Sequence, residues 1–172
     1  MHGSLNGVVM EKPVILVVDD DREIAGLIAR FLTLEGYGVE MVCDFDAAAV
    51  YLKHNRIDLL LTDFDLGDPR AGRDGLGLLR MAREIDPALP VIVHSGSVIQ
   101  EQVAAAIGEG AFAYLPKPVD LLALREKVAE AGRWRRAQEL RQKVRVPVCA
   151  IPASATPTPF PTEPNATPLP GR

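Results

Sequence analysis

The sequence has few cysteines, no long apolar run and a small net charge, and each of these features excludes some classes of protein. Its two cysteines, Cys43 and Cys149, lie far apart without metal-type spacing, so neither a disulfide framework nor a zinc site is indicated. No apolar run approaches the roughly 20 residues of a membrane span, and residues 1–12 lack the apolar core of a signal peptide. A net charge of −4 does not favour broad binding to nucleic acid. We therefore expect a cytoplasmic protein with one ordinary domain and an appendage.

What the sequence does contain is a regular alternation of short apolar runs and helix-like segments. The apolar runs are typical of strands buried on both faces of a parallel sheet, and they lie at 14–18, 39–42, 58–62, 90–94 and 112–115. Helical spacing of apolar residues predicts helices at 22–32, 46–54, 75–85 and 99–108, and a last helix from about residue 119. Asp21 is well placed to cap the first of them. The alternation predicts an α/β fold with a doubly wound, five-stranded parallel sheet.

Polar side chains gather at the carboxyl ends of these predicted strands, where ligands bind in open α/β sheets. They are Asp19, Asp20, Asp63, Ser95 and Lys117. Two carboxylates about 4 Å apart repel by roughly 4 kcal/mol at an effective dielectric near 20, so a converging group of them favours a bound cation. Hard oxygen ligands in small number suit Mg²⁺. A lone lysine opposite the acids would help to hold a phosphoryl group by charge.

Four motifs carry a resemblance to a known family. The segments VVDDD at 17–21, LLLTD at 59–63, HSG at 94–96 and YLPKP at 114–118 resemble the receiver domain of bacterial two-component response regulators. The resemblance covers about residues 13–132 and includes every hallmark position in the expected order. It implies a flavodoxin-like (βα)5 fold with strand order 2-1-3-4-5, which places strands 1 and 3 side by side.

The resemblance also implies a role for each motif residue. Asp63 would be the phosphoacceptor, and Mg²⁺ would be held by Asp19, Asp20, Asp63 and the backbone carbonyl of Asp65. Lys117 would contact the phosphoryl oxygens and form a cis peptide with Pro118, Ser95 would be the switch hydroxyl, and Tyr114 the switch aromatic. The phosphoryl group would come from a sensor histidine kinase or a histidine phosphotransfer protein. The face formed by helix 4, strand 5 and helix 5 would then bind an unknown downstream protein or a second copy of the chain.

Three features near the predicted site depart from this pattern or stand outside it. The loop at 66–74 is about four residues longer than expected and carries Arg70 and Arg73, which we interpret as a tolerated surface insertion. The alternative is that these arginines affect the binding of a partner protein or the access of the phosphoryl group to the site. Gly96 follows the switch serine where alanine is more usual, which leaves more space but loosens the loop. His94 is interpreted as a structural residue with no part in phosphotransfer.

The ends of the chain suggest three further segments. Residues 1–12 are expected to be flexible, residues 133–146 to form a basic, solvated extension of the last helix, and residues 147–172 to be disordered because they are rich in Pro, Thr and Ala. Within that extension Trp134, Ala137 and Leu140 could continue an apolar face for a partner. The sequence shows no helix-turn-helix and no enzymatic output domain. We therefore expect a stand-alone receiver without a DNA-binding domain, with no catalysis beyond its own phosphorylation and dephosphorylation.

Two alternatives from other classes stay open. The run Thr62-Asp63-Phe64-Asp65 after an apolar strand also resembles the nucleophile motif of haloacid-dehalogenase-type phosphatases. That family places an acidic pair downstream of its lysine, whereas only scattered acids follow Lys117, and no cap insertion is present. The second alternative is a receiver-like binding module that works without phosphorylation. Phosphate release from small substrates would favour the phosphatase, and an absence of labelling would favour the binding module.

Overall fold

The computed structural model describes residues 12–96 and 99–144 of the chain. The strands are β1 (Val14–Val18), β2 (Gly38–Val42), β3 (Leu59–Asp63), β4 (Val91–Ser95) and β5 (Ala113–Pro116). The helices are α1 (Arg22–Leu34), α2 (Phe45–His54), α3 (Gly75–Ile85), α4 (Gln100–Gly108) and α5 (Leu121–Val144), with a 3₁₀ turn at Pro69–Ala71. The predictions for residues 1–11 and for the tail from residue 145 onward lie outside the described residues, as do residues 97 and 98.

The five strands form one parallel sheet in the order β2-β1-β3-β4-β5. This confirms the predicted flavodoxin-like (βα)5 fold and its strand order. Val18 pairs with Thr62 across β1 and β3, and Asp63 pairs with His94 across β3 and β4. The register therefore brings the residues just beyond Val18 and Thr62 to the same point on the carboxyl edge of the sheet.

Two hydrophobic cores cover the two faces of the sheet. Alternate residues of the central strands face one side or the other, so β1, β3 and β4 are buried almost throughout. One core packs against α1 and α5 and includes Ile15, Val17, Ile28, Leu32, Leu124 and Val128. The other packs against α2, α3 and α4 and includes Leu16, Val18, Leu52, Leu60, Leu78 and Ala106. Burial on both faces fixes the sheet, so the side chains at its edge have a rigid base.

Helix caps and strand ends differ little from the sequence prediction. Asp21 caps α1, because its carboxylate accepts hydrogen bonds from the backbone N–H groups of Glu23 and Ile24, as predicted. Asp63 and Ser95 are the last residues of their strands rather than the first loop residues, because the parallel ladder continues through them. The strand backbone therefore holds both functional side chains directly.

The last helix is long and is tied to the domain by more than an apolar stripe. Arg135, predicted to be solvated with its basic neighbours, is buried, and its Nη2 lies 2.7 Å from Asp86 Oδ2. Trp134 packs against Phe112, with ring centroids 5.9 Å apart, whereas Leu140 is exposed. The second half of α5 thus packs on the domain through an ion pair and an aromatic contact. Within the described ranges, no helix has the length and apolar character needed to cross a membrane.

Candidate functional site

The strand register brings the predicted acids together at the carboxyl edge of the sheet. Asp19 follows β1 directly and Asp63 ends β3, so the Val18–Thr62 pair sets them side by side. Oxygen atoms of Asp19, Asp20 and Asp63 all lie within 4.8 Å of one another. Asp19 and Asp63 are buried, whereas Asp20 is exposed. The cluster is therefore accessible from one side only, with its two buried carboxylates at the base.

Asp19 is the most constrained of these carboxylates. Its Oδ1 accepts a hydrogen bond of 2.9 Å from the backbone N–H of Asp21, and its Oδ2 lies 3.0 Å from Lys117 Nζ. Burial raises the pKa of Asp19, and the nearby charge of Asp63 acts in the same direction, while the Asp21 and Lys117 hydrogen bonds oppose them. A carboxylate whose ionised form is disfavoured in this way gains from a second cation at the cluster.

The oxygen donors in the cluster fit a magnesium ion. Carboxylates in small number, with one open side for water, are the ligands that Mg²⁺ takes in proteins. The backbone of Asp65 also belongs to this edge, because its N–H donates to Asp63 Oδ1 over 3.3 Å. Nothing in the donor set is a soft ligand of the kind that zinc or copper sites favour.

Lys117 supplies the positive charge opposite the acids. Its Nζ donates to Asp63 Oδ2 over 2.9 Å and also pairs with Asp19, and its side chain is only 16% exposed. Burial acts to lower the pKa of Lys117, but the hydrogen bonds and charges of Asp63 and Asp19 outweigh burial and raise that pKa above its usual value. The peptide between Lys117 and Pro118 is cis. In this state the lysine neutralises part of the charge that a metal and a phosphoryl group would otherwise meet.

Ser95 and Tyr114 lie on the β4 and β5 side of Asp63. Ser95 is buried, and its Oγ donates to Asp65 Oδ2 over 3.0 Å. Tyr114 is half-buried and meets the ring of Phe64 edge-on, with centroids 6.5 Å apart. Because Phe64 directly follows Asp63, this contact links Tyr114 to the site through a side chain that the sequence pattern did not single out.

The long loop after β3 has its own structure. Asp68 and Arg73 exchange two backbone hydrogen bonds of 2.9 Å, which closes the loop around the 3₁₀ turn. The Arg73 guanidinium pairs with Asp46 at the start of α2 and lies over the Phe45 ring at 5.6 Å. Arg70 is exposed at the turn. The insertion is therefore fastened to α2 by Arg73.

The start of α3 packs closely against the backbone of Asp63 and Phe64. Asp74 caps the helix by accepting from the Gly77 N–H over 2.8 Å, and the Gly75 N–H donates to the Phe64 carbonyl over 3.2 Å. A Cβ added at Gly75 would overlap the Asp63 carbonyl oxygen. Glycine is required here because two backbone segments approach each other, and the sequence analysis missed that role.

His94 is a further polar group at the site. It is fully buried beside Asp19, with its Nε2 3.6 Å from Asp19 Oδ2. Burial, together with the charge of Lys117, lowers the pKa of His94 to about 4, so the imidazole is neutral. The contact of His94 with Asp19 could not be predicted from the sequence, because it depends on how β4 and β1 are spaced across β3.

Comparison with known proteins agrees with this geometry. Residues 15–129 match the family described as response regulator receiver domain. The chain is 36% identical over 132 residues to the nitrogen assimilation regulatory protein NtrX of Azorhizobium caulinodans, and the match covers 74% of this chain and 29% of that protein. It is 38% identical over 116 residues to the DNA-binding transcriptional regulator NtrC of Proteus hauseri, covering 65% and 23% of the two chains. The chain thus spans less than a third of the length of these relatives.

Solved structures show the same fold. A CheY-like receiver domain protein from Methanospirillum hungatei superposes with a TM-score of 0.69 at 29% identity, covering 74% of this chain and 99% of that one. A response regulator from Burkholderia pseudomallei, solved with a phosphorylated aspartic acid, a calcium ion and citrate, gives a TM-score of 0.62 at 25% identity and covers 76% and 74%. The motifs, the sheet order and these matches together establish that the chain belongs to the response regulator receiver domain family.

Proposed function

We propose that this protein is a phosphoacceptor response regulator, in which Asp63 accepts a phosphoryl group from a histidine kinase or a histidine phosphotransfer protein in the cytoplasm. One observation carries the proposal. Three carboxylates lie within 4.8 Å of one another, and the single lysine at the site is paired with the two buried ones. This arrangement supports the proposal, in which the oxygen nucleophile, the cation site and the positive charge for the phosphoryl oxygens lie within one side-chain length of one another.

The metal ligands in this proposal are Asp19, Asp20, Asp63 and the backbone carbonyl of Asp65. Bound Mg²⁺ would supply positive charge that offsets the charge of the phosphoryl oxygens. Asp19 is held by the Asp21 N–H and is therefore oriented before any ligand arrives. Asp20 is exposed and lies on the open side of the cluster, where the phosphodonor must approach.

The chemical step is an in-line transfer. A carboxylate oxygen of Asp63 attacks the phosphorus of a phosphohistidine on the partner, a P–O bond forms, and the P–N bond breaks. The electron pair of the broken bond stays on the partner's imidazole nitrogen, which takes up a proton. Lys117 already contacts Asp63 Oδ2 at 2.9 Å and would follow the charge onto the new phosphoryl oxygens.

The phosphoryl group would then change the face formed by α4, β5 and α5. Ser95 now donates its hydroxyl hydrogen to Asp65, and in the phosphorylated protein it would donate to a phosphoryl oxygen instead. Its movement would make space toward which Tyr114, now half-buried against Phe64, would turn. Such a change is a shift between two packings, and a shift from 1:99 to 99:1 requires about 5.5 kcal/mol of differential binding. The altered face would bind a downstream protein or a second copy of the chain.

The comparisons support this proposal at the level of the domain. The Burkholderia pseudomallei protein, solved with a phosphorylated aspartic acid and a calcium ion, shares this fold at 25% identity. The DNA-binding function in the name of NtrC belongs to a protein of which this chain covers 23%. We therefore carry over the receiver step alone.

The test is acetyl phosphate labelling, read by intact mass with Mg²⁺ or with EDTA. The wild-type chain should gain one phosphoryl group only with Mg²⁺, and Asp63→Asn should gain none. Asp21→Asn is the matched control, because asparagine also caps helices and the position lies beside the site without belonging to the cluster. Labelling of the Asp63→Asn variant would refute the acceptor assignment. Release of phosphate from small phosphate esters would favour the phosphatase alternative, and no labelling at all would favour the binding module.

A further inference from the structure

The candidate site contains one buried polar side chain that the proposed reaction does not use. His94 lies one residue before Ser95 on β4 and is fully buried. Neither of its ring nitrogens has a hydrogen-bond partner among residues 12–96 and 99–144. Buried polar atoms in folded proteins are nearly always hydrogen-bonded, so a pair of unpartnered ring nitrogens requires an explanation.

The imidazole of His94 lies against the carboxylate cluster formed by Asp19, Asp20 and Asp63. His94 pairs with Asp63 in the β3–β4 register, and its Nε2 is 3.6 Å from Asp19 Oδ2. Both side chains are 0% exposed, so water does not compete for this contact. The histidine therefore lies behind the carboxylate that is most constrained in the site.

The partners of Asp19 show when this histidine would be needed. Oδ1 is satisfied by the Asp21 N–H, whereas Oδ2 depends on Lys117. In the proposed reaction Lys117 turns to the phosphoryl oxygens on Asp63, and Oδ2 loses that contact. A buried carboxylate oxygen then needs another donor, and a neutral imidazole can supply one without adding charge.

We propose that His94 is a positioning residue for the metal site, whose Nε2–H donates to Asp19 Oδ2 and holds this carboxylate toward the cation once Lys117 engages the phosphoryl group. The inference rests on the proposed function, because it assumes the same cation and the same movement of the lysine. The present distance must shorten by about 0.7 Å to reach a normal hydrogen bond near 2.9 Å. Hydrogen bonds from groups outside the direct ligand set orient metal ligands in this way in many metalloproteins.

The first test is calorimetric titration of the full chain with Mg²⁺ in the presence of beryllium fluoride, a mimic of the phosphoryl group, because the proposal assigns the His94 contact to the state in which Lys117 engages that group. His94→Met replaces the imidazole with an apolar side chain of similar length and so removes the hydrogen-bond donor. It should weaken Mg²⁺ binding by about 10- to 100-fold. His94→Gln retains an N–H donor and should recover part of that loss. Val93→Ala is the matched control: it removes packing from the same strand on the opposite face and should leave the Mg²⁺ affinity unchanged.

The second test does not depend on any variant and uses ¹⁵N NMR of the His94 ring in the wild-type chain. The expected result is the Nε2–H tautomer, with a change in the Nε2 signal when Mg²⁺ and acetyl phosphate are added together. An Nδ1–H tautomer, or equal Mg²⁺ affinities for wild type and His94→Met, would overturn the inference. If the wild type labels at Asp63 with Mg²⁺ but His94→Met binds Mg²⁺ equally well, the inference alone fails. If the wild type neither binds Mg²⁺ nor labels, the proposed function fails with it.

Discussion

Removal of the Lys117 ammonium should destabilise the protein in the absence of a metal, and Mg²⁺ should restore most of the loss. The substitution Lys117→Met keeps an apolar stem of similar length and removes a charge that lies 2.9 Å from Asp63 and 3.0 Å from Asp19. Two buried carboxylates then remain without their cation. We therefore expect the free energy of unfolding to fall, with a size set by the attraction to Lys117 that the two carboxylates lose.

The geometry gives the size of that attraction. Unit charges 2.9 Å apart, the distance from Lys117 Nζ to Asp63 Oδ2, attract by about 5.7 kcal/mol at an effective dielectric near 20, and the cost of burying the lysine offsets part of this. Removal of one partner from a buried ion pair costs about 3–5 kcal/mol by mutagenesis, which agrees. Protonation of Asp19, whose pKa is already raised, would relieve part of this. We expect a loss of about 3 kcal/mol near neutral pH, or roughly a 10 °C fall in the melting temperature.

The assay is thermal unfolding followed by circular dichroism, in EDTA and in Mg²⁺. A ligand at 100 times its Kd adds about 2.7 kcal/mol to the stability of the folded state. At one fixed concentration, Mg²⁺ should stabilise the Lys117→Met variant more than the wild type. The variant lacks the lysine charge at the cluster and should therefore bind Mg²⁺ more tightly. Lys127→Met is the control, since Lys127 forms only an exposed pair with Glu130 on α5. Unchanged stability of Lys117→Met in EDTA, or equal Mg²⁺ effects on variant and wild type, would refute the reasoning.

Two further predictions concern the residues that hold the frame of the domain. Arg135→Met should lower the free energy of unfolding by about 2 kcal/mol, because it strands Asp86 without its charged partner, whereas Arg136→Met, at an exposed position, should be nearly neutral. Burial acts to raise the pKa of Asp86, but the hydrogen bonds from Arg135 and the Ala88 N–H, together with the charges of Arg135 and Arg56, outweigh burial and lower that pKa below its usual value. The stabilisation is therefore complete above about pH 4 and is lost as the pH falls through the lowered folded-state pKa. Urea titrations at pH 7 and pH 3 would check this, and an equal gap at both pH values would contradict it. Gly75→Ala should cost about 1–3 kcal/mol and slow acetyl phosphate labelling, because the added Cβ overlaps the acceptor's carbonyl oxygen. Gly26→Ala in α1, where nothing lies within 4 Å, should instead add about 0.5–1 kcal/mol, and a similar loss at both glycines would argue against the overlap.

The parts of the fold that depend on local pattern could be predicted from the sequence. The apolar runs gave all five strands within one or two residues, because parallel strands buried on both faces are nearly continuous apolar segments. The convergence of Asp19 and Asp63 also followed, since the order 2-1-3-4-5 makes β1 and β3 neighbours. The roles assigned to these residues remain predictions that the labelling experiment tests.

What the sequence could not predict depends on contacts between distant segments. Arg135 looked like one member of a solvated basic run, and only the approach of α5 to Asp86 shows that it is buried. The contact of His94 with Asp19 likewise depends on two strands that are not neighbours in the sheet. Residue type and local spacing do not encode such pairs, so their roles emerge only from the tertiary structure.

The contacts of Arg73 make the two sides of the acceptor mechanically unequal. On the α2 side, the loop after β3 is closed by the Asp68–Arg73 hydrogen bonds and braced against Phe45 and Asp46. On the β4 side, a Cβ built at Gly96 would meet no atom of residues 12–96 and 99–144 within 4 Å. A displacement at the end of β3 would therefore be opposed by these contacts on the α2 side and by fewer contacts on the β4 side. In the proposed reaction, a displacement at Asp63 would therefore extend toward β4 and β5 rather than toward α2.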